Sequence, residues 1–196
     1  MTPSATFTDR MIDATIAKQS ILCPGLDPQL RYMPPELIAW ALATYGDTFQ
    51  AVGHLFFRFN QMILDNVAQL VPSVKLQIAF YEIYGQWGIW AFEKTVTYAR
   101  SLGLIVITDG KRGDGGDTAM AYAAGHLASV PWWPKGNEPQ VILSPIRADA
   151  LTVHAHIGTA CIAPFVLAAK ANGAAVFVVD KTSFQPDSEV EQLRTV

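Results

Sequence analysis

Short β-rich apolar runs alternate along this chain with longer segments whose apolar residues recur every three or four positions. The runs fall at residues 21–26, 74–80, 104–109, 150–154 and 175–179. Between them, residues 47–70 place Phe49, Val52, Leu55, Phe56, Phe59, Met62, Ile63, Val67 and Leu70 on one helical stripe, with Asp47 as the expected N-cap. Met62 and the phenylalanines of that stripe are expected in the core. Further helices are expected over 87–101, stopped by Gly103, and over 117–127. Two more are expected over 162–171, with Pro164 in the first turn and Gly173 past the end, and from 189 onward. The stretch around Pro34 and Pro35, and residues 130–146 with four prolines, read as irregular. Alternation of this kind predicts an α/β fold, a parallel sheet covered by helices. A doubly wound open sheet and a (β/α)₈ barrel both satisfy it, and both bind ligands at the carboxyl ends of their strands.

Composition narrows the class. The chain has 196 residues, 51% hydrophobic and 16% charged, enough for a single domain (1–196) with a real core. A net charge of −3 without a Lys/Arg stripe argues against nucleic-acid binding. The apolar runs are strand-sized, far short of the ~20 residues that span a bilayer, so no membrane partner is expected. Residues 1–10 are polar and lack the order of a leader peptide. Cys23 and Cys161 are isolated thiols, which points to a reduced cytoplasm.

Charged residues gather where the third strand ends, in Asp109-Gly110-Lys111-Arg112-Gly113-Asp114. If the strand continues to Lys111, Asp109 and Lys111 share a face, and Asp114 follows on a turn that can return towards Lys111. A lysine between carboxylates stays an ammonium. It is then a poor Schiff-base nucleophile but a good partner and proton donor for a developing carbanion. A solvated ion-pair cluster is the plainer reading of the same residues. Gly113, Gly115 and Gly116 read as a tight turn; no Gly-Lys-Ser/Thr follows, and Asp114 and Asp117 would repel a phosphate. A metal on Asp109, Asp114 and Asp117 is disfavoured by the cation of Lys111. His154 and His156 share a strand face but no further histidine follows, so no metal site is expected. The Pro131-Trp132-Trp133-Pro134 segment either caps the sheet or anchors a partner.

These segments together resemble the orotidine 5′-phosphate decarboxylase family, in its longer bacterial branch. Leu22-Cys23-Pro24-Gly25-Leu26-Asp27-Pro28 is similar to the family's first strand, and Val74-Lys75-Leu76-Gln77-Ile78-Ala79-Phe80-Tyr81-Glu82 to its second. Asp109 to Asp114 matches the Asp-x-Lys-x-x-Asp signature, and Thr118 with Ala121-Tyr122-Ala123 continues in register. Asp149-Ala150-Leu151-Thr152-Val153 is similar to the fourth strand and Lys181-Thr182-Ser183 to the end of the fifth. The resemblance implies a (β/α)₈ TIM-barrel-type fold and cofactor-free decarboxylation of orotidine 5′-phosphate to uridine 5′-phosphate. It implies that Lys111 protonates C6 as CO₂ leaves, that Asp109 lies near the reacting carboxylate, and that Asp114 arrives from the other subunit of a homodimer. Asp27 and Lys75 would bind the ribose hydroxyls with Thr118 nearby, and Ser183 the pyrimidine.

Three departures accompany the resemblance. Gly115 stands where the family usually has Ile, and His154-Ala155-His156 where the long branch has Asn-Pro-Tyr. The family's later strands, with their phosphate-binding loop and Arg, are not found, so an incomplete barrel of about five βα units is expected. A truncated non-catalytic remnant and a related sugar-phosphate decarboxylase are the alternative functions.

Overall fold

The computed structural model describes residues 5–181. Six strands form: β1 (Ser73–Gln77), β2 (Ile105–Arg112), β3 (Ser129–Lys135), β4 (Glu138–Leu143), β5 (Ala150–His154) and β6 (Ala175–Val179). β1, β2, β5 and β6 make one parallel sheet in that order. A parallel bridge from Gly25 to Lys75 adds the chain's first segment beside β1. The parallel segments therefore lie side by side in the order in which they occur along the chain. A doubly wound sheet reverses its order at a switch point, whereas a barrel winds in one sense. Topology thus selects the barrel-type arrangement.

The first segment is less of a strand than its composition suggests. Residues 21–26 contribute one bridge, held by Lys75 N–H to Pro24 O (3.0 Å) and Leu26 N–H to Lys75 O (2.8 Å). Pro24 and Pro28 have no N–H to extend the ladder. The second run stops at Gln77 and turns into a short helix rather than reaching residue 80, while the third continues to Arg112. The proline-rich stretch 130–146 is no loop: β3 and β4 pair antiparallel. In a two-stranded ribbon every strand is an edge, so Pro131, Pro134 and Pro139 can sit where no partner asks for an N–H.

Seven α-helices complete the described residues: α1 (Phe7–Lys18), α2 (Pro35–Tyr45), α3 (Phe49–Val67), α4 (Ala79–Glu82), α5 (Gly85–Ser101), α6 (Gly116–Leu127) and α7 (Thr159–Asn172). α1 is fixed by a capping box between Thr6 and Asp9. The prolines at 34 and 35 open α2 rather than prevent it, because a first-turn proline loses no helical bond. Thr48, not Asp47, caps α3, its hydroxyl accepting from Ala51 N–H (3.2 Å). Pro164 lies inside α7 and not in its first turn, since that helix starts three residues earlier than its apolar pattern suggests. The helix expected from residue 189 lies outside the described residues.

The main core packs α2, α3 and α5 on the sheet, with Phe56, Leu64, Val74, Leu76, Tyr81, Phe92 and Val106 fully buried. Each such side chain contributes about 1.5–3 kcal/mol. Phe49 and Met62, at the margin of the α3 stripe, are exposed. A smaller cluster joins Ala119, Leu127, Leu151, Val153 and Phe165 between α6, α7 and β5. Inside the main core, Asn60 donates to Tyr81 Oη (2.8 Å) and to Thr95 Oγ1 (3.1 Å). Tyr81 in turn donates to Leu26 O (3.0 Å), which pins the chain one residue before Asp27. Gly88 permits the close approach of α5 to α4, where a Cβ would stand 1.8 Å from Tyr81 O.

Candidate active site

The carboxyl ends of β1, β2 and β5 bring three side chains together around one carboxylate. Lys75 Nζ reaches Asp109 Oδ2 at 2.9 Å and Lys111 Nζ reaches Asp109 Oδ1 at 2.7 Å. Thr152 Oγ1 donates to the same Oδ1 at 2.8 Å and accepts from Lys111 N–H at 2.9 Å. Asp109 is 7% exposed. Burial alone would raise its pKa; the hydrogen bonds from Lys111, Lys75 and Thr152, with the Lys75 charge, outweigh that and hold it below the usual carboxylate value. Asp109 is therefore an anion at neutral pH, facing two partly exposed ammonium groups.

The backbone that makes this possible is irregular. Pairing of β2 with β5 shifts register between Thr108 and Arg112, and Lys111 adopts a left-handed φ of 42°. Such a backbone costs a non-glycine residue about 1–2 kcal/mol. Here the Thr152 hydroxyl ties down the Lys111 N–H, and the side chain folds back onto Asp109. The shared face expected of Asp109 and Lys111 is present, but a bulge and a hydroxyl, not plain strand alternation, create it. Arg112 turns elsewhere, pairing with Glu82 and lying over the Tyr122 ring at 5.1 Å.

The remaining expected residues are spread around this cluster. Asp27 is exposed beside the end of β1 and accepts from Gln77 N–H (3.3 Å). Asp114 does not return to Lys111 in its own chain; it is exposed and its Oδ1 accepts from Gly115 N–H (2.7 Å). Two glycines after it leave the turn to be set by that local bond. Thr118 is exposed in the first turns of α6. Ser183 lies outside the described residues. Thr152 is the member that sequence reading missed. Its signal is a lone hydroxyl between Leu151 and Val153, which are both fully buried, so that strand alternation aims it away from their side of the sheet. Gly113 packs closely on the end of β5, where a Cβ would meet His154 at 3.1 Å. Among the described residues, no three His, Cys, Asp or Glu side chains converge as a metal ligand set.

Residues 21–195 match the Orotidine 5′-phosphate decarboxylase / HUMPS family. The chain belongs to that family. It is 39% identical over 178 residues to the orotidine 5′-phosphate decarboxylase of Rhodopirellula baltica, covering 91% of this chain and 55% of the relative. It is 37% identical over 190 residues to that of Deinococcus radiodurans, covering 96% of this chain and 57% of the relative. The structure of Leishmania donovani OMP decarboxylase superposes with a TM-score of 0.69 at 25% identity, over 97% of this chain and 59% of that one. The chain thus spans somewhat more than half the length of the relatives it matches. Membership of the decarboxylase family agrees with the one-way winding of the sheet: the parallel strands β1, β2, β5 and β6 are consecutive staves of a barrel-type fold.

Proposed function

We propose that this chain carries the catalytic cluster for cofactor-free decarboxylation of orotidine 5′-phosphate to uridine 5′-phosphate, a step of pyrimidine synthesis. The observation that carries the reading is a single buried carboxylate gripped by two ammonium groups at the carboxyl end of a barrel-type sheet. The bond between C6 and the substrate carboxylate breaks, CO₂ departs, and the electron pair stays at C6. The Lys111 ammonium delivers a proton to that carbon and regains one from water. Asp109 places a fixed negative charge beside the leaving carboxylate, which disfavours the bound anion relative to neutral CO₂. Lys75, whose ammonium has three donors, can hold Asp109 and reach a ribose hydroxyl, with Asp27 opposite it. Thr118 and Ser183 complete the contacts to the nucleotide.

The second acid of the array is the Asp114 of another copy in a homodimer. Support comes from Asp114 being exposed and engaging only its own turn. Among the described residues no helix is long and apolar enough to cross a membrane, in keeping with a cytoplasmic enzyme. Ultraviolet-monitored loss of orotidine 5′-phosphate tests the proposal. Lys111→Ala is expected to lower turnover by about 10²–10⁴-fold, and undiminished turnover refutes the proton-donor role. A wild-type chain that neither turns over nor binds the nucleotide supports the non-catalytic alternative. Mixing Lys111→Ala with Asp114→Ala chains is expected to restore activity by forming hybrid dimers with one intact site; two variants that stay inactive together argue against the shared acid.

A further inference from the structure

A second charged cluster lies at the opposite, amino end of the same sheet. Arg10, Arg100, Arg147 and Lys170 line a cavity of about 490 Å³, and among the described residues Asp149 is the sole carboxylate that lines it. Arg10 bonds Asp149 Oδ1 (2.8 Å) and Gly173 O (2.9 Å). Arg100 bonds Arg147 O (3.1 Å), and Arg147 bonds Asn172 O (3.2 Å). The nearby Asp9 is engaged by Thr6. These bonds anchor the guanidinium forks on the ends of helices and strands, which is a structural role. They leave most of the donors unused, since each guanidinium carries five N–H groups. Arg147 Nε is buried with no partner at all. An orphaned buried donor destabilises the fold, and here it sits among like charges. Burial, then the charges of Arg100 and Arg10, push Arg147 below the ordinary arginine pKa despite Asp149.

We infer that this amino-end cavity binds a phosphate group, free or as a small phosphomonoester, on Arg10, Arg100 and Arg147. A dianion supplies what the cluster lacks: negative charge to offset the surplus of cations, and several acceptors in a geometry that planar forks match in pairs. The cavity lies within the size range of small-molecule sites, and Phe7, Ala169, Ala171 and Ala174 give it apolar wall for an attached carbon skeleton. The inference is independent of the decarboxylase reading, because Lys75, Asp109 and Lys111 are at the other end of the strands.

Calorimetric titration of the full chain with inorganic phosphate and with glycerol 3-phosphate tests it. One-to-one binding of either probe is expected, weakened at least tenfold in Arg147→Gln and unchanged in Lys75→Ala. The tighter of the two probes identifies the source of the phosphate group. If Arg147→Gln fails to fold, the exposed Arg100→Gln variant gives the same comparison. Absence of binding by both probes, affinity insensitive to both arginine changes, or loss of binding in Lys75→Ala overturns the proposal.

Discussion

Two aspartates mark the two ends of the sheet, and both are 7% exposed. Asp149, at the amino end, accepts from Val106 N–H (3.0 Å) and from the Arg10 guanidinium. Its partners are a backbone amide and a fork that also holds Gly173 O. It staples α1 and the starts of β2 and β6 together. The carboxylate of Asp109, at the carboxyl end, has no backbone amide among its partners in the described residues. Two flexible lysine stems and a threonine hydroxyl hold it instead. Equal burial thus hides unequal purpose. A carboxylate tied to the main chain builds the sheet, whereas one tied to long-stemmed cations that remain partly exposed is, on the proposed reading, set to act on a ligand.

That contrast breaks if the two ends respond alike to change. The largest expected effect of a change at either aspartate is that of Asp109→Asn, which leaves Lys75 and Lys111 without their anion; orotidine 5′-phosphate turnover should fall by about 10²–10³-fold, measured by ultraviolet assay. Acid should then attack the two ends in separate windows. His126, whose backbone carbonyl accepts from Ala148 N–H (2.8 Å) beside Asp149, is pushed down to about 4, chiefly by burial and then by the Arg112 charge. Between 6.5 and about 4 the unfolded chain binds a proton that the folded one refuses, so stability falls as pH falls, by about 3 kcal/mol in total. Urea midpoints should show that loss, and His126→Gln should remove it. Asp109 gives a later window. Its folded pKa lies below the ordinary aspartate value of 3.8, so its contribution is present above 3.8 and disappears as pH falls through the lower, folded value. Asp109→Asn should flatten that part alone.

Smaller effects sharpen the same contrast. Asp149→Asn keeps an acceptor for Val106 but loses the charge opposite Arg10, and should cost about 1–3 kcal/mol by thermal denaturation. Turnover per folded molecule should not change. The smallest effect is Thr152→Val, which should cost up to about 1 kcal/mol and lower kcat with little change in KM, with Thr152→Ser restoring both. A fall in stability with unaltered kcat would move Thr152 to the structural side of the comparison.

Much of this was legible in the residues. Runs at 104–109 and 150–154 became β2 and β5 because buried apolar strands have few other homes, and the half-exposed run at 175–179 became β6 beside them. The long stripe around Leu55, Phe56 and Leu64 became α3 for the same reason. Reading failed where context, not local pattern, decides. Pro131, Pro134 and Pro139 look like a loop until a two-stranded ribbon supplies edges for them. Pro34 and Pro35 look like breakers until they start a helix. In the site, Asp109 and Lys111 were visible as charges at a strand end, and Lys75 through the family resemblance. Thr152 was not, because a hydroxyl among valines and leucines carries no mark until the bulge in β2 brings the Lys111 amide to it. Asp114 was visible too, and within its own chain its turn claims it.

The left-handed backbone at Lys111 has an evolutionary corollary. Glycine or asparagine would sit at that angle with less strain. A lineage released from the chemistry would therefore drift towards those residues, by selection for stability alone. Descendants that had lost the trade should be recognisable by what replaces the lysine.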